Sequence, residues 1–326
     1  MKKNINILFT ISMLSLLSLP VIAGIEEFRL IFENDIFGST DRYYTHSTRF
    51  EFMLNERNAQ DQARFKPPEK ILPENASYFH TLYFAQHIYT PSDLTVSERM
   101  EDDRPYAGWL YVGVATNVRI SEKTENVFSV NVGLVGSSAL AGQTQTEFHR
   151  WIDSQKPMGW DNQLLDEPAV DVSFVRNYRP CGRPKPGLAY DAIFSTGANI
   201  GNVFIHGKIG SVVRIGINLP DNYGPVGVPD KMYAPHNEVG STQKSFYLFA
   251  GTEVRGVLRN IFLDGNTFRS SHSVDKKPLV VDAYCGFETK FCEKISLLYM
   301  YQIRSKEFEG QEDSHRYGTF AFSYRF

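Results

Sequence analysis

The sequence predicts an all-β transmembrane antiparallel barrel of about twelve strands, carrying one short helix on its extracellular side. Two observations predict it. Period-two alternation of apolar and polar residues recurs along the chain, and the chain ends on Phe320, Phe322, Tyr324 and Phe326, aromatic at every second position. Such alternation places one strand face in an apolar medium and the other in a polar one. A soluble sandwich produces the same pattern, but the segments here run roughly 9–13 residues, which suits tilted spanning strands better than sandwich strands. The ending resembles the signal by which outer-membrane barrels are recognised for assembly. An aromatic content of 13% suits interfacial girdles.

The elements follow in order. Lys2 and Lys3, then the uncharged and mostly apolar run Ile5–Ile22, read as a signal peptide over residues 1–23, leaving residues 24–326 as the barrel. Phe28, Leu30 and Phe32 share one face of a first strand, opposite Arg29 and Glu33. Phe50, Phe52 and Leu54 alternate with Arg49, Glu51 and Met53. Leu110, Val112, Val114, Val118 and Ile120 share a parity, as do Phe128, Val130, Val132 and Leu134. Val170, Val172 and Phe174, then Val213, Ile215 and Ile217, then Phe246, Leu248 and Ala250 continue the series. An even number of antiparallel strands puts both termini on the periplasmic side. The extracellular connections then include Gly38–Arg42, Pro91–Pro105, Ser137–Pro168 and Leu263–Pro278. Leu219–Lys244 is long for a periplasmic turn. One segment lacks alternation: Gln143–Lys156 places Phe148, Trp151 and Ile152 at helical spacing and is followed by Pro157 and Gly159, so it reads as the short helix.

A formal net charge of −3 argues against a nucleic-acid binder, which would carry a basic excess. The three cysteines, Cys181, Cys285 and Cys292, form no dense disulfide framework and no metal-binding CxxC, and the sequence does not say which pair would bridge.

Chemistry-bearing residues gather where strands meet the extracellular rim: Glu33–Asn34–Asp35, Thr40–Thr45, Asp102–Tyr106, the helix pair Gln145 and His149, and Gly159–Gln163 with Glu167. Taken singly, each has a plainer reading as a turn, a loop ion pair or a structural histidine. Their combination is an ester-hydrolysing set. Gln145 and His149, four residues apart, share a helix face. A histidine activates water near neutral pH. Carboxylate and amide oxygens hold a hard divalent cation that polarises an ester carbonyl. No GxSxG or HExxH supports a serine triad or a zinc protease.

The motifs PheGluAsnAspIlePhe (32–37), AspArgTyrTyrThr (41–45), AlaGlnHisIleTyrThrPro (85–91), AspAspArgProTyrAlaGly (102–108) and GlnThrGlnThrGluPheHis with GlyTrpAspAsnGln (143–163) occur in an order and spacing that resemble the outer-membrane lipid A 3′-O-deacylase family. The resemblance covers essentially all of the chain after the signal peptide. It implies a site between barrel wall and helix, and a calcium-dependent hydrolase releasing the 3′-linked acyloxyacyl group of lipid A in the outer leaflet. Asn34, Asp35, Thr45, Gln145 and His149 match the family's functional positions. His149 would be the general base, and Asp35 with Asn34 would organise the Ca2+ and oxyanion site. The family carries an acid six positions after the histidine, where this chain has Gln155. The cation site is then weaker, or borrows Asp153 or Asp161. Partners are expected to be lipopolysaccharide and the outer membrane, with the chain a monomer. The competing readings are a non-catalytic barrel, either pore or surface-binding module, and an outer-membrane phospholipase.

Overall fold

The alternation closes into a barrel in the computed structural model, which describes residues 24–38, 40–54, 77–225 and 244–326. The expected signal peptide lies outside the described residues. Twelve strands follow in sequence: β1 (Ile25–Asn34), β2 (Tyr43–Leu54), β3 (Ser77–Thr90), β4 (Ala107–Ser121), β5 (Thr124–Val135), β6 (Glu167–Gly182), β7 (Leu188–Gly201), β8 (Phe204–Ile217), β9 (Ser245–Asn260), β10 (Leu279–Lys290), β11 (Ile295–Arg304) and β12 (His315–Arg325). Each pairs antiparallel with its neighbours in sequence, and β1 pairs with β12 through positions such as Leu30 opposite Phe322. Closure leaves no unpaired edge, as a sheet in hydrocarbon requires.

The two strand faces decide the medium. Val112 is 57% exposed on the outer face, whereas Arg214 is 1% exposed in the lumen. Val132, Val172, Ile215 and Leu248 also face outward, while Arg29, Asp191 and Glu253 are buried inside. Apolar outside and charged inside is favourable only where the outside is apolar.

One end carries the short turns at residues 122–123 and 291–294, and the described chain begins and ends there. The other end carries long loops and two helices, α1 (Ala141–Ile152) and the single-turn α2 (Ile261–Asp264). α1 is the expected helix with shifted bounds. Leu140 and Asp153 adopt left-handed backbone (φ 60 and 55) and bracket it, and the Asp153 N–H bonds back to the His149 carbonyl. The helix therefore stops ahead of Pro157, the residue the sequence marks as its terminator. Cys181, Cys285 and Cys292 are all free and exposed.

The long Leu219–Lys244 connection joins β8 to β9 at the short-turn end, and its described start folds into the lumen. Leu219, Asn222 and Tyr223 are buried there. Arg214 grips Asp191 with Nε at 2.8 Å and Nη2 at 2.5 Å, and donates to the Asn222 carbonyl at 2.9 Å. Arg179 bonds Asp221 at 3.0 Å and the Asn222 carbonyl at 2.6 Å. The described start of the connection thus supplies lumen contacts. Asp191 neutralises Arg214 and also meets Arg179 Nε at 3.1 Å. Asp191→Ala leaves both guanidiniums short of a buried counter-charge, which costs about 3–5 kcal/mol. The expected result is a clear fall in the temperature at which the detergent-folded band converts to the unfolded one on a gel; an unchanged midpoint would refute it.

Candidate functional site

The expected site lies at the long-loop rim, on the outward side of β1 and β2. Asn34 ends β1 on the same face as Phe32, and His46 pairs opposite it on β2. A single 3-10 turn, Asp35–Gly38, follows. Asn34 starts it by accepting the Ile36 N–H at 2.9 Å, the local bond that makes asparagine a turn residue. Facing β3, an extra residue interrupts the β2 register between Tyr44 and His46, so Thr45 sits in a bulge. Bulges re-aim side chains and are frequent beside active sites. The Thr45 hydroxyl pairs with that of Thr90 at 2.7 Å.

α1 lies against this wall because the wall is smooth there. A Cβ at Gly108 would fall 2.5 Å from the Ala141 Cβ, so only glycine admits the helix. Gln86 of β3 anchors the approach to α1 by donating to the Ala139 carbonyl at 2.7 Å. Phe148 then stacks on His46 at 6.1 Å between ring centres and meets Phe32 at 6.4 Å. The next residue, His149, is 4% exposed.

His149 Nδ1 lies 2.5 Å from the Gln155 main-chain carbonyl. A carbonyl only accepts, so Nδ1 carries the proton. In the neutral ring the lone pair is therefore on Nε2, which faces Asp41 Oδ2 at 3.4 Å. Asp35 is buried beside Asp41. Its Oδ2 accepts the Arg42 N–H at 2.6 Å, and its carbonyl accepts the Thr40 N–H at 3.2 Å. Burial, and next the Asp41 carboxylate, push the Asp35 carboxyl well above the usual carboxylate range. Burial also raises Asp41, and His149 acts in the opposite direction. Gln145, one turn before His149, is buried and accepts the Trp160 indole N–H at 2.8 Å.

Two separate contact chains thus assemble the sequence candidates: Asp35–Asp41–His149, and Asn34–His46–Phe148 beneath α1, with Asn34 Nδ2 at 3.5 Å from His46 Nδ1. Thr45 is engaged by Thr90. The sequence places Asp41 and Trp160 in its rim clusters and quoted motifs but assigns neither of them a role. An aspartate before a strand is more often a turn residue, and nothing in the sequence pairs it with a histidine on another loop. The Gln155 side chain is exposed, as are Asp153 and Asp161.

A model of the family described as outer membrane protein LpxR matches residues 8–326. The chain belongs to the LpxR family. It is an outer-membrane barrel. No curated protein matches the chain. Among solved structures, LpxR from Salmonella typhimurium is 19% identical with a TM-score of 0.76, covering 92% of this chain and 100% of the other. The β domain of the Bordetella autotransporter BrkA is 9% identical at a TM-score of 0.42, covering 93% and 99%. The likeness to the Salmonella structure establishes the fold.

For this LpxR-family chain, two other polar clusters of the rim hold neighbouring loops. Asp103 accepts the Ser92 N–H and the Arg104 N–H, both at 2.7 Å, and Arg104 meets Glu307 at 3.3 Å. Glu167 binds Asn266 at 3.0 Å and the Thr267 N–H at 2.9 Å. The residues beside His149 fit a hard cation in part. Two carboxylates crowd one another, and Asp41 Oδ1 is buried with no hydrogen-bond partner. Such an acceptor-rich spot is relieved by positive charge. No three acidic, histidine or cysteine side chains converge on a point among the described residues. Main-chain or amide oxygens, or water, would complete the shell.

Proposed function

We propose that the chain is an ester hydrolase of the outer leaflet that releases the 3′-linked acyloxyacyl group from lipid A, with calcium at Asp35 and Asp41. The observation that carries this reading is the His149 tautomer. A buried imidazole whose Nδ1 is tied to a main-chain carbonyl presents Nε2 as a base at a rim opening on the acyl layer.

In this reading His149 Nε2 takes a proton from water as the oxygen attacks the ester carbonyl. The tetrahedral intermediate collapses by breaking the bond to the sugar oxygen, which recovers the proton from His149. The products are a fatty acid and a sugar hydroxyl. Asp41 faces the imidazolium that forms between these steps and stabilises its charge. Bound calcium would supply positive charge opposite the developing oxyanion. Asp41, rather than Gln155, Asp153 or Asp161, is the second acid this reading assigns to the cation. Asn34, whose amide oxygen already caps the turn, keeps a second lone pair for that shell.

The test is mass spectrometry of lipid A from cells with and without the chain. Loss of the 3′-linked acyl groups supports the proposal. Unchanged lipid A with altered phospholipids would favour the phospholipase, and no change in either would favour a non-catalytic barrel.

A pH dependence follows. The fold favours the protonated forms of Asp35 and Asp41, so whatever they add to stability is present at low pH and lost as pH rises through their raised pKa values. Protons and calcium then compete for the same oxygens. The calcium needed for half-maximal activity should rise as pH is lowered from about 8 to about 5. A calcium requirement independent of pH would remove the carboxylates from the cation site.

A further inference from the structure

Gln145 is held by one hydrogen bond whose chemistry decides which way its amide faces. An indole N–H donates and cannot accept, so the side-chain oxygen of Gln145 must be the atom 2.8 Å from Trp160 Nε1. The amide nitrogen then points the other way. Gln145 is 3% exposed, and its Nε2 is buried with no hydrogen-bond partner. A buried donor left unmatched is costly, and such a group in a native site calls for an acceptor that comes and goes.

Trp160 is fixed from outside the helix. Its ring packs 4.9 Å from the Tyr106 ring, and a Cβ at Gly142 would come within 3.0 Å of the indole. The turn that carries it is pinned to the β3–β4 loop: Met158 N–H to the Leu94 carbonyl at 2.8 Å, Asn162 Nδ2 to the Ser97 carbonyl at 2.7 Å, and Leu164 N–H to the Tyr106 carbonyl at 2.9 Å. The indole is thus a rigid hook reaching back to α1 from later in the same connection, braced by the β3–β4 loop. Gln145 lies one turn from His149 on the same helix face.

We propose that Trp160 is a positioning residue: its indole N–H holds the Gln145 amide so that Nε2 donates to the ester carbonyl oxygen as it becomes an oxyanion. The inference rests on the ester-hydrolase reading above. A donor already oriented toward the developing charge needs no reorganisation when the charge appears, and removing one such donor typically slows an enzyme on the order of 10²–10³-fold.

The experiment uses the full chain in detergent micelles with lipopolysaccharide and calcium. Trp160→Phe keeps an aromatic ring against Tyr106 and removes the N–H together with the rest of the pyrrole ring. It should lower kcat about tenfold, with KM nearly unchanged, since the lost interaction belongs to the transition state. Gln145→Ala should lose on the order of 10²-fold, and Trp160→Phe should add nothing in that background. An unaltered rate in Trp160→Phe, or the same tenfold loss in both backgrounds, overturns the inference.

A second readout needs no turnover. The chain has three tryptophans, so the 15N-indole resonance missing from Trp160→Phe identifies that of Trp160. Its proton should move upfield in Gln145→Ala, which removes the acceptor, and should not in Gln145→Glu, which keeps one. An indole resonance indifferent to Gln145→Ala overturns the positioning inference alone. A wild-type protein that releases no fatty acid from lipopolysaccharide overturns the hydrolase reading, and this inference with it.

Discussion

Replacing His149 with asparagine should lower ester hydrolysis by about 10²–10⁴-fold while leaving the barrel folded. Asparagine is the informative choice because His149 has two jobs. Its Nδ1 ties the end of α1 to the Gln155 carbonyl at 2.5 Å, and its Nε2 faces Asp41. The asparagine amide nitrogen reaches the Nδ1 position and preserves the tie, whereas nothing replaces Nε2. His149→Ala removes both, so its loss of activity would mix catalysis with loosening of the loop. Acyl release is read by mass spectrometry, and folding by the heat-dependent band shift. Near-normal turnover in His149→Asn would dismiss the histidine as the base.

Excess EGTA should abolish activity and calcium should restore it, with Asp35→Asn reproducing the effect of the chelator. Asparagine keeps an oxygen for the Arg42 N–H, which Asp35 accepts at 2.6 Å, so the turn survives while its charge is lost. Calcium affinity rises with the number of charged ligands, and two carboxylates meet here among the described residues, so the loss of one should be severe. The same substitution also removes the charge that burial, and next Asp41, disfavour at Asp35. Asp35→Asn should therefore be as stable as the wild type in EGTA, or more so, even as it loses activity. Full activity in excess chelator, with Asp35→Asn unimpaired, would take the cation out of the mechanism and leave Asp41 as a partner of His149 alone.

Much of this molecule was legible in its residues, for reasons that can be stated one by one. The barrel was legible because lipid and lumen act on alternate residues. Phe28, Leu30 and Phe32 therefore differ from Arg29 and Glu33 whatever the rest of the chain does, and the same holds on each strand the reading used. The helix was legible because Phe148, Trp151 and Ile152 break that rhythm. Its end was not, because Asp153 stops it with a left-handed backbone that no residue type demands. Asn34, Asp35, Gln145 and His149 stood out through the order of their motifs.

What the chain order could not supply is which loop meets which. Asp41 opposes His149 from a different connection, brought near by the sheet, while Trp160 hooks Gln145 within one connection and Asn222 folds back on Arg214 of the strand before it, contacts that no local pattern specifies. Local patterns are set by a residue's neighbours in sequence and its surrounding medium, so a single chain displays them. Contacts between loops depend on where twelve strands deliver their ends, on a glycine such as Gly108 that lets a helix lie flat, and on a bulge at Thr45. Those are products of the closed sheet. The tautomer of His149 and the facing of the Gln145 amide follow from these contacts, because a carbonyl can only accept and an indole N–H can only donate.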